Sequence, residues 1–438
     1  MYSVVEERNR RTQWFRQARF GLFIHFGLYA IPARGEWVMS NERLSKRDYQ
    51  SYFQEFNPVH YNPRAWAKAA KAAGMKYAVL TAKHHDGFCL FDSAYTDYKA
   101  TKTPAGRDLV AEFLSAFREE GLRVGLYYSL LDWHHPDYPH FGDRHHPMRD
   151  NPEYQGLTHD FTRYLDYLHG QVRELCTNYG QLDILWFDFS YDQMVGDKWR
   201  ASELVSMVRS LQPQVIIDNR LEASGESAGS IRTANPNPYA GDFASPEQIV
   251  PPQGIVDQSG HAVPWEACIT MNNSWGYAAA DQSYKPASLI VRKLVECVSK
   301  NGNMILNVGP SAKGEFPPQA SQLLREIGEW IRLNGDSIYG CGKAELPKPE
   351  WGYYTQREDK LYAHVLQGSI GPLALPGLRG RVQRARLLRD GSELRLISPW
   401  NTFEFSDCLF LNFGSPEHLT YPLPDQLDTV VELSLKSC

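Results

Sequence analysis

From Phe20 onward the chain alternates short, near-continuous apolar runs with longer stretches in which apolar residues recur every three or four positions. The runs are FGLFIHFG (20–27), KYAVLTAKHH (76–85), RVGLYYSLL (123–131), LDILWFDF (182–189), VIIDNR (215–220), WEACITM (265–271) and GNMILNVGP (302–310). Between them lie helical patterns such as PRAWAKAAKAAGM, RDLVAEFLSAFREEGL and ASQLLREIGEWIRLNG. Strand and helix in alternation predict a parallel sheet, and strands apolar throughout predict cover on both faces. Seven such units come closer to an eight-stranded (β/α)8-like barrel of TIM type, distorted in places, than to a six-stranded open sheet. A doubly wound sheet is the alternative, but no strand is followed by G-x-G-x-x-G or by G-x-x-x-x-G-K-[ST].

After LNGDSIYGCG the helical pattern stops, and KLYAHVLQG, RARLLRDGSELRLIS and DTVVELSLKS read as strands, with Asp390-Gly391 as a hairpin turn. The expected division is therefore a catalytic barrel over residues 1–345 and a C-terminal β-sandwich over 346–438.

In a parallel barrel chemistry sits at the carboxyl ends of the strands. Those ends carry His25, His84, His85, Tyr127, Trp186, Asp188, Asn219 and Arg220, and the sixth run begins with Trp265-Glu266. Asp188 stands out, because an unpaired carboxylate after Ile184, Leu185, Trp186 and Phe187 is costly to bury. It reads as a nucleophile or general base, or else as a helix cap or a partner of Arg220. His84 and His85 are adjacent, so on a pleated strand they point to opposite faces, unlike the H-x-H pairs of metal-binding barrels. A second histidine cluster, WHHPDYPHFGDRHHP (133–147), has no zinc spacing and reads as a solvated flap near the substrate mouth.

Composition narrows the partners. With 46 basic and 51 acidic residues and a net charge of -5, neither a nucleic-acid groove nor an anionic membrane is the expected partner. The seven cysteines are scattered without a C-x-x-C pair, which suggests free thiols in a reducing compartment. MYSVVEERNRRTQWFRQARFG has no apolar core of a signal peptide, and no run approaches a membrane span, so a cytoplasmic location is expected. The 11 Trp and 24 Tyr suit stacking against sugar rings as well as core packing. A homo-oligomer is compatible with the sequence.

The ordered motifs WFRQARFGLFIHFGLYAIPARGEW, GMKYAVLTAKHHDGFCLFDSAYTDY, GLRVGLYYSLLDWH, LDILWFD, GDFASPEQ, WEACITMNNSWGY and NGNMILNVGPSAKGEFP resemble the α-L-fucosidases of glycoside hydrolase family 29. The resemblance spans about Trp14 to Gly342 and implies a distorted barrel with a C-terminal β-sandwich. It implies retention of configuration by two carboxyl groups about 5–5.5 Å apart. The family's nucleophile corresponds to Asp188, although the family more often has Gly where this chain has Phe189. For the acid/base, Asp242, Glu247 and Glu266 compete; Glu247 is the first choice and Glu266 the second. The implied fucose contacts are His25, Glu36, Trp37, His84, His85, Tyr127, Trp186, Arg220 and Trp275. HFG in place of H-W-G, and DNR in place of N-D-R or N-N-R, are departures from the family pattern.

The resemblance implies an exo-acting enzyme that needs no metal, coenzyme or nucleotide and acts on a fucosylated oligosaccharide or glycoconjugate. WEACITMNNSWGY leans to the branch that prefers α-1,3/1,4 linkages. The alternatives are a metal-dependent barrel hydrolase using the histidine-rich segments and a non-catalytic sugar-binding relative.

Overall fold

The structure, a computed structural model, describes residues 4–225, 227–368, 370–397, 403–414 and 422–436. Ser398, Ser437 and Cys438, which fall in the expected strands and the cysteine set, lie outside the described residues. The strands of the first sheet are β1 (Phe20–Ile24), β2 (Tyr77–Lys83), β3 (Arg123–Ser129), β4 (Ile184–Asp188), β5 (Ile216–Ile217), β6 (Glu266–Thr270) and β7 (Asn303–Val308). They run in the order β5-β4-β3-β2-β1-β7-β6, all parallel, and the fold is a curled, distorted (β/α)8-like barrel.

Helices α1 (Val4–Arg11) and α2 (Gln13–Ala18) precede the first strand, and α3 (Val38–Asn41), α4 (Lys46–Glu55) and α5 (Pro63–Ala72) lead to the second. Then α6 (Leu109–Glu119), α7 (Phe161–Asn178), α8 (Ala201–Leu211), α9 (Ala287–Val298) and α10 (Pro318–Asn334) cover the outside. Their starts are written locally: Asn62, Asp108 and Asp160 accept backbone N–H bonds in the first turn, and Ser45 forms a capping box with Asp48.

Inside the barrel, Phe23, Val79, Tyr127, Ile184, Trp186, Ile216, Cys268 and Ile305 meet, and Phe15 of α2 joins them from below. Strand alternation puts these inward while their neighbours pack under the helices. Gly21 is required here, since a Cβ would stand 2.2 Å from the Tyr77 ring.

The VIIDNR run makes a ladder over only two residues, because the Asp218 side chain, rather than its backbone, takes the Phe187 N–H at 2.9 Å. What closes the barrel is the irregular stretch 241–248. It is joined to one side by Asp242 N–H on the Ile217 carbonyl, 2.6 Å, and to the other by Glu266 N–H on Ala244, 2.9 Å, and Cys268 N–H on Pro246, 3.0 Å. Single parallel bridges pair Asp218 with Phe243, Ala244 with Trp265 and Glu247 with Cys268. A non-strand stave thus carries two of the candidate carboxylates, Asp242 and Glu247.

The C-terminal part holds two antiparallel sheets. One is ordered β12-β15-β10-β9-β8, from β8 (Gly342–Lys343), β9 (Gly352–Arg357), β10 (Lys360–Val365), β12 (Val382–Leu387) and β15 (Thr429–Leu435). The other is ordered β11-β14-β13, from β11 (Leu373–Leu375), β13 (Arg395–Ile397) and β14 (Leu409–Asn412). β8, in the five-stranded sheet, lies ahead of residue 346. Asp390 and Gly391 form the expected reversal, with the Ser392 N–H on Asp390 Oδ1 at 2.9 Å and Gly391 at φ +76°. These sheets share their own apolar core and meet the barrel where Trp330 Nε1 donates to the Asp428 carbonyl, 2.9 Å. No described helix is long and apolar enough to cross a membrane. The six described cysteines are free, five of them buried.

Candidate active site

Asp188 is the last residue of β4 and stands opposite Ser129 of β3, while Tyr127 pairs with Trp186 two residues earlier. That register lets the inward Tyr127 hydroxyl reach up to Asp188 Oδ2, 2.7 Å. Arg220, just past β5, completes the cradle. Its Nη1 donates to Asp188 Oδ1 at 3.0 Å and its Nη2 to Glu247 Oε2 at 3.1 Å, so one guanidinium spans both carboxylates. The arginine is held by Ser245 Oγ (2.9 Å) and the Ser245 carbonyl (3.0 Å), and lies over the Trp186 ring at 4.9 Å. The two acids differ in setting: the Asp188 side chain is 14% exposed and that of Glu247 39%. Burial pushes the Asp188 carboxyl up to about 6, against the pull of Arg220 and Tyr127 and with the push of Glu247.

The histidines sit beside this pair. β2 stops at Lys83, so His84 and His85 have left the pleat and both line the same pocket. The objection from adjacency therefore does not apply at these positions. Lys83 is anchored by Asp132 at 3.0 Å, both fully withdrawn from water. Asp86 turns away, taking Tyr49 OH (3.1 Å) and the Phe88 N–H (3.2 Å), and burial raises its carboxyl to about 7.

Burial holds His25 down at about 3 and drives His84 and His85 well below the usual imidazole range, so all three are neutral near pH 7. Asn307 spends its amide N–H on the Trp275 carbonyl (2.7 Å) and turns its oxygen to His25 Nδ1 (2.6 Å). His25 Nδ1 therefore carries the proton and Nε2 is an acceptor. Ser129 does the same for His85: its hydroxyl donates to Leu131 and receives His85 Nδ1 at 2.7 Å. His84 Nδ1 is buried with no partner among the described residues.

His25, Glu36, Trp37, His84, His85, Tyr127, Trp186, Arg220 and Trp275 all line one pocket with Asp188 and Glu247. Glu36 is fixed by the Gly276 N–H at 2.8 Å, and burial raises its carboxyl. Phe23, Phe189 and Cys268 line the pocket too and were not among the contacts expected from sequence. Nor was Asn307, although it stands one residue before the carboxyl end of β7. Asn219 lies beneath the pocket, holding Ser245 Oγ at 3.0 Å and the Ser227 carbonyl at 3.0 Å.

Glu266, the second choice for the acid/base, is not in the pocket. It opens β6 at the opposite, amino-terminal end, fully buried, and accepts bonds from Tyr77 OH and from Trp186 Nε1 at 3.3 Å. Burial raises its carboxyl to about 7. Asp242 is likewise committed elsewhere, to Arg11 (2.8 Å), Arg209 and the Ile217 N–H (2.9 Å).

Phe189 follows Asp188 at φ +88°, a region that favours glycine and strains other residues by roughly 1–3 kcal/mol. The backbone there explains why glycine suits this position. An aromatic neighbourhood of Trp37, His85, His145 and Tyr191 holds the ring. Beyond it opens a cleft of about 850 Å³, bordered by Arg144, Asp192, Glu222 and Gln248. The histidine-rich stretch 133–147 is packed rather than solvated, because Trp133 and Tyr138 are fully buried and Tyr191 OH donates to Asp143. Its His145 end borders the cleft. Among the described residues no three His, Cys, Asp or Glu side chains are placed to hold a metal ion.

A family profile described as Alpha-L-fucosidase matches residues 3–336. The plasma α-L-fucosidase of Homo sapiens is 31% identical over 420 residues, covering 88% of this chain and 83% of its own. Among solved structures, α-L-fucosidase isoenzyme 1 from Paenibacillus thiaminolyticus is 63% identical with a TM-score of 0.95, over 98% of this chain and 100% of that one. An α-L-fucosidase from Bacteroides thetaiotaomicron, solved as a trapped covalent intermediate with 2-fluoro-fucosyl fluoride, is 29% identical with a TM-score of 0.81, over 100% of this chain and 97% of that one. The barrel, its C-terminal β domain and these matches together place the chain in the α-L-fucosidase family, glycoside hydrolase family 29.

Proposed function

We propose that the protein is a retaining exo-α-L-fucosidase in which Asp188 is the nucleophile and Glu247 the acid/base. The observation that carries this reading is the pair of carboxylates clasped by one guanidinium in an aromatic- and histidine-lined pocket. In the first step an Asp188 oxygen bonds to C1 of fucose while the C1–O bond breaks and Glu247 gives its proton to the leaving oxygen. In the second, Glu247 takes a proton from water, whose oxygen displaces Asp188 from C1. The greater exposure of Glu247 suits a group that meets first an aglycone and then water. Tyr127 and Arg220 keep the nucleophile ionised and aimed. The neutral imidazoles of His25 and His85 offer Nε2 acceptors to sugar hydroxyls, and Phe23, Trp186 and Trp275 offer an apolar wall to the C5 methyl.

The substrate class is a fucosylated oligosaccharide or glycoconjugate, with a lean to α-1,3/1,4 linkages. A panel of α-1,2, α-1,3, α-1,4 and α-1,6 fucosides tests the lean, which fails if α-1,2 or α-1,6 is cleaved fastest. The roles are tested with Glu247→Ala. An aryl fucoside with a good leaving group should react nearly as before in the first step, and one with a poor leaving group should lose roughly 100- to 10,000-fold. Equal losses on both would remove Glu247 from the acid role.

A further inference from the structure

Among the described residues Phe189 is the one aromatic side chain that borders both spaces of the site, the pocket around Asp188 and Glu247 and the cleft beyond. A wall shared by the two lies where the bond between fucose and its leaving group must cross. The residue is only partly buried. Its recorded ring contacts are all inclined, at 56° to Trp37, 74° to His85, 82° to His145 and 64° to Tyr191, so none of these rings lies flat against it. It stands at φ +88°, where glycine would sit without strain, and the chain keeps a large aromatic there nonetheless. A strained residue that neighbouring packing over-determines, beside a reacting group, points to a use for its side chain.

We infer that Phe189 is the platform on which the first ring of the leaving group stacks. The site therefore favours aglycones that present a flat apolar face next to the fucosidic bond, either the face of a pyranose or an aryl ring. This rests on the reading that Asp188 and Glu247 cleave the bond between the two spaces. The platform acts only while the aglycone is present, that is, in the first step of hydrolysis and when an acceptor sugar takes the place of water.

The experiment compares Phe189→Gly and Phe189→Tyr with the parent protein on three substrates: an aryl α-L-fucoside, an α-L-fucosyl-(1,3)-N-acetylglucosamine and α-L-fucosyl fluoride, whose leaving group has no ring. In F189G, kcat/KM on the two ring-bearing substrates should fall about tenfold, the scale of one lost ring contact. It should hold on the fluoride. F189Y keeps the ring and should retain activity on all three. Far-UV circular dichroism checks that F189G is folded, since the strain relieved at this φ is set against the packing lost with the ring. Equal loss on the fluoride would overturn the inference, because the residue would then be shaping the fucose pocket or Asp188. Undiminished kcat/KM on the ring-bearing substrates in F189G would overturn it as well. A parent protein inert toward all three would instead overturn the fucosidase reading on which the inference stands.

Discussion

At the scale of single residues the site separates acids by their surroundings. Asp188 has Tyr127 and Arg220 to stabilise its charge, and burial still leaves its carboxyl at about 6. In the proposed role of nucleophile it must be ionised, so kcat/KM should fall as pH drops through about 6. The Tyr127 bond lowers that value, so Tyr127→Phe should move the acid limb to higher pH, which a pH–rate profile reads directly. Glu266 and Asp86 tell the opposite story: each is raised by burial to about 7 and sits away from the pocket. Their folded forms hold protons that the unfolded chain, titrating near ~4, has already lost. The folded state thus binds more protons between those values, and their contribution to stability declines as pH rises from about 4 to 7. Glu266→Gln should flatten this slope in denaturant titrations at pH 5 and pH 8 and keep hydrolytic activity. Asp188, Arg220 and the histidines were legible because polar groups at strand ends have few structural reasons to be there. Glu266 was harder to judge, because WEAC alone does not say that the glutamate opens the strand at the end of the barrel away from the chemistry.

At the scale of elements the critical piece is the irregular stave 241–248. It replaces a strand, so neither apolar alternation nor length could announce it, and GDFASPEQ was legible only as a motif. Its course depends on Gly241, at φ +81° with a Cβ position 2.2 Å from the Asp218 carbonyl. Gly241→Ala should cost more than ~2 kcal/mol in urea unfolding, through both strain and displaced backbone. Its far end is pinned by Gln248, whose N–H bonds to the Cys268 carbonyl (2.9 Å) and whose amide bonds to Thr270 Oγ1 (2.9 Å). Gln248 is therefore a positioning residue for Glu247. Gln248→Ala should lower kcat/KM about tenfold on poor leaving groups and spare good ones, the pattern of a misplaced acid rather than a damaged sugar pocket.

At the scale of the whole molecule the alternation of apolar runs and helical stretches was enough to read a barrel, because strands buried on both faces must be apolar throughout. The C-terminal β part was legible from the loss of the 3.6-residue period and from Asp390-Gly391. How the two parts join was not, since it rests on buried polar pairs far apart in sequence. His364 Nδ1 and Asp428 Oδ2 meet at 2.6 Å with no exposure, His364 Nε2 reaches Thr355 Oγ1 at 3.0 Å, and Thr355 donates to Ser337 near the end of the barrel. Asp428→Ala leaves that buried histidine without its hydrogen-bond partner and should destabilise the protein by roughly 1–3 kcal/mol in thermal or denaturant unfolding, without altering the pH–rate profile of the folded enzyme. The covalent bond to fucose is proposed to form on Asp188. Incubation with 2-fluoro-fucosyl fluoride, followed by proteolysis and peptide mass spectrometry, tests it most directly. The account predicts one added 2-fluorofucosyl group on the peptide containing Asp188, and none in Asp188→Ala. A label on any other residue, or turnover by Asp188→Ala at the parent rate, would contradict it.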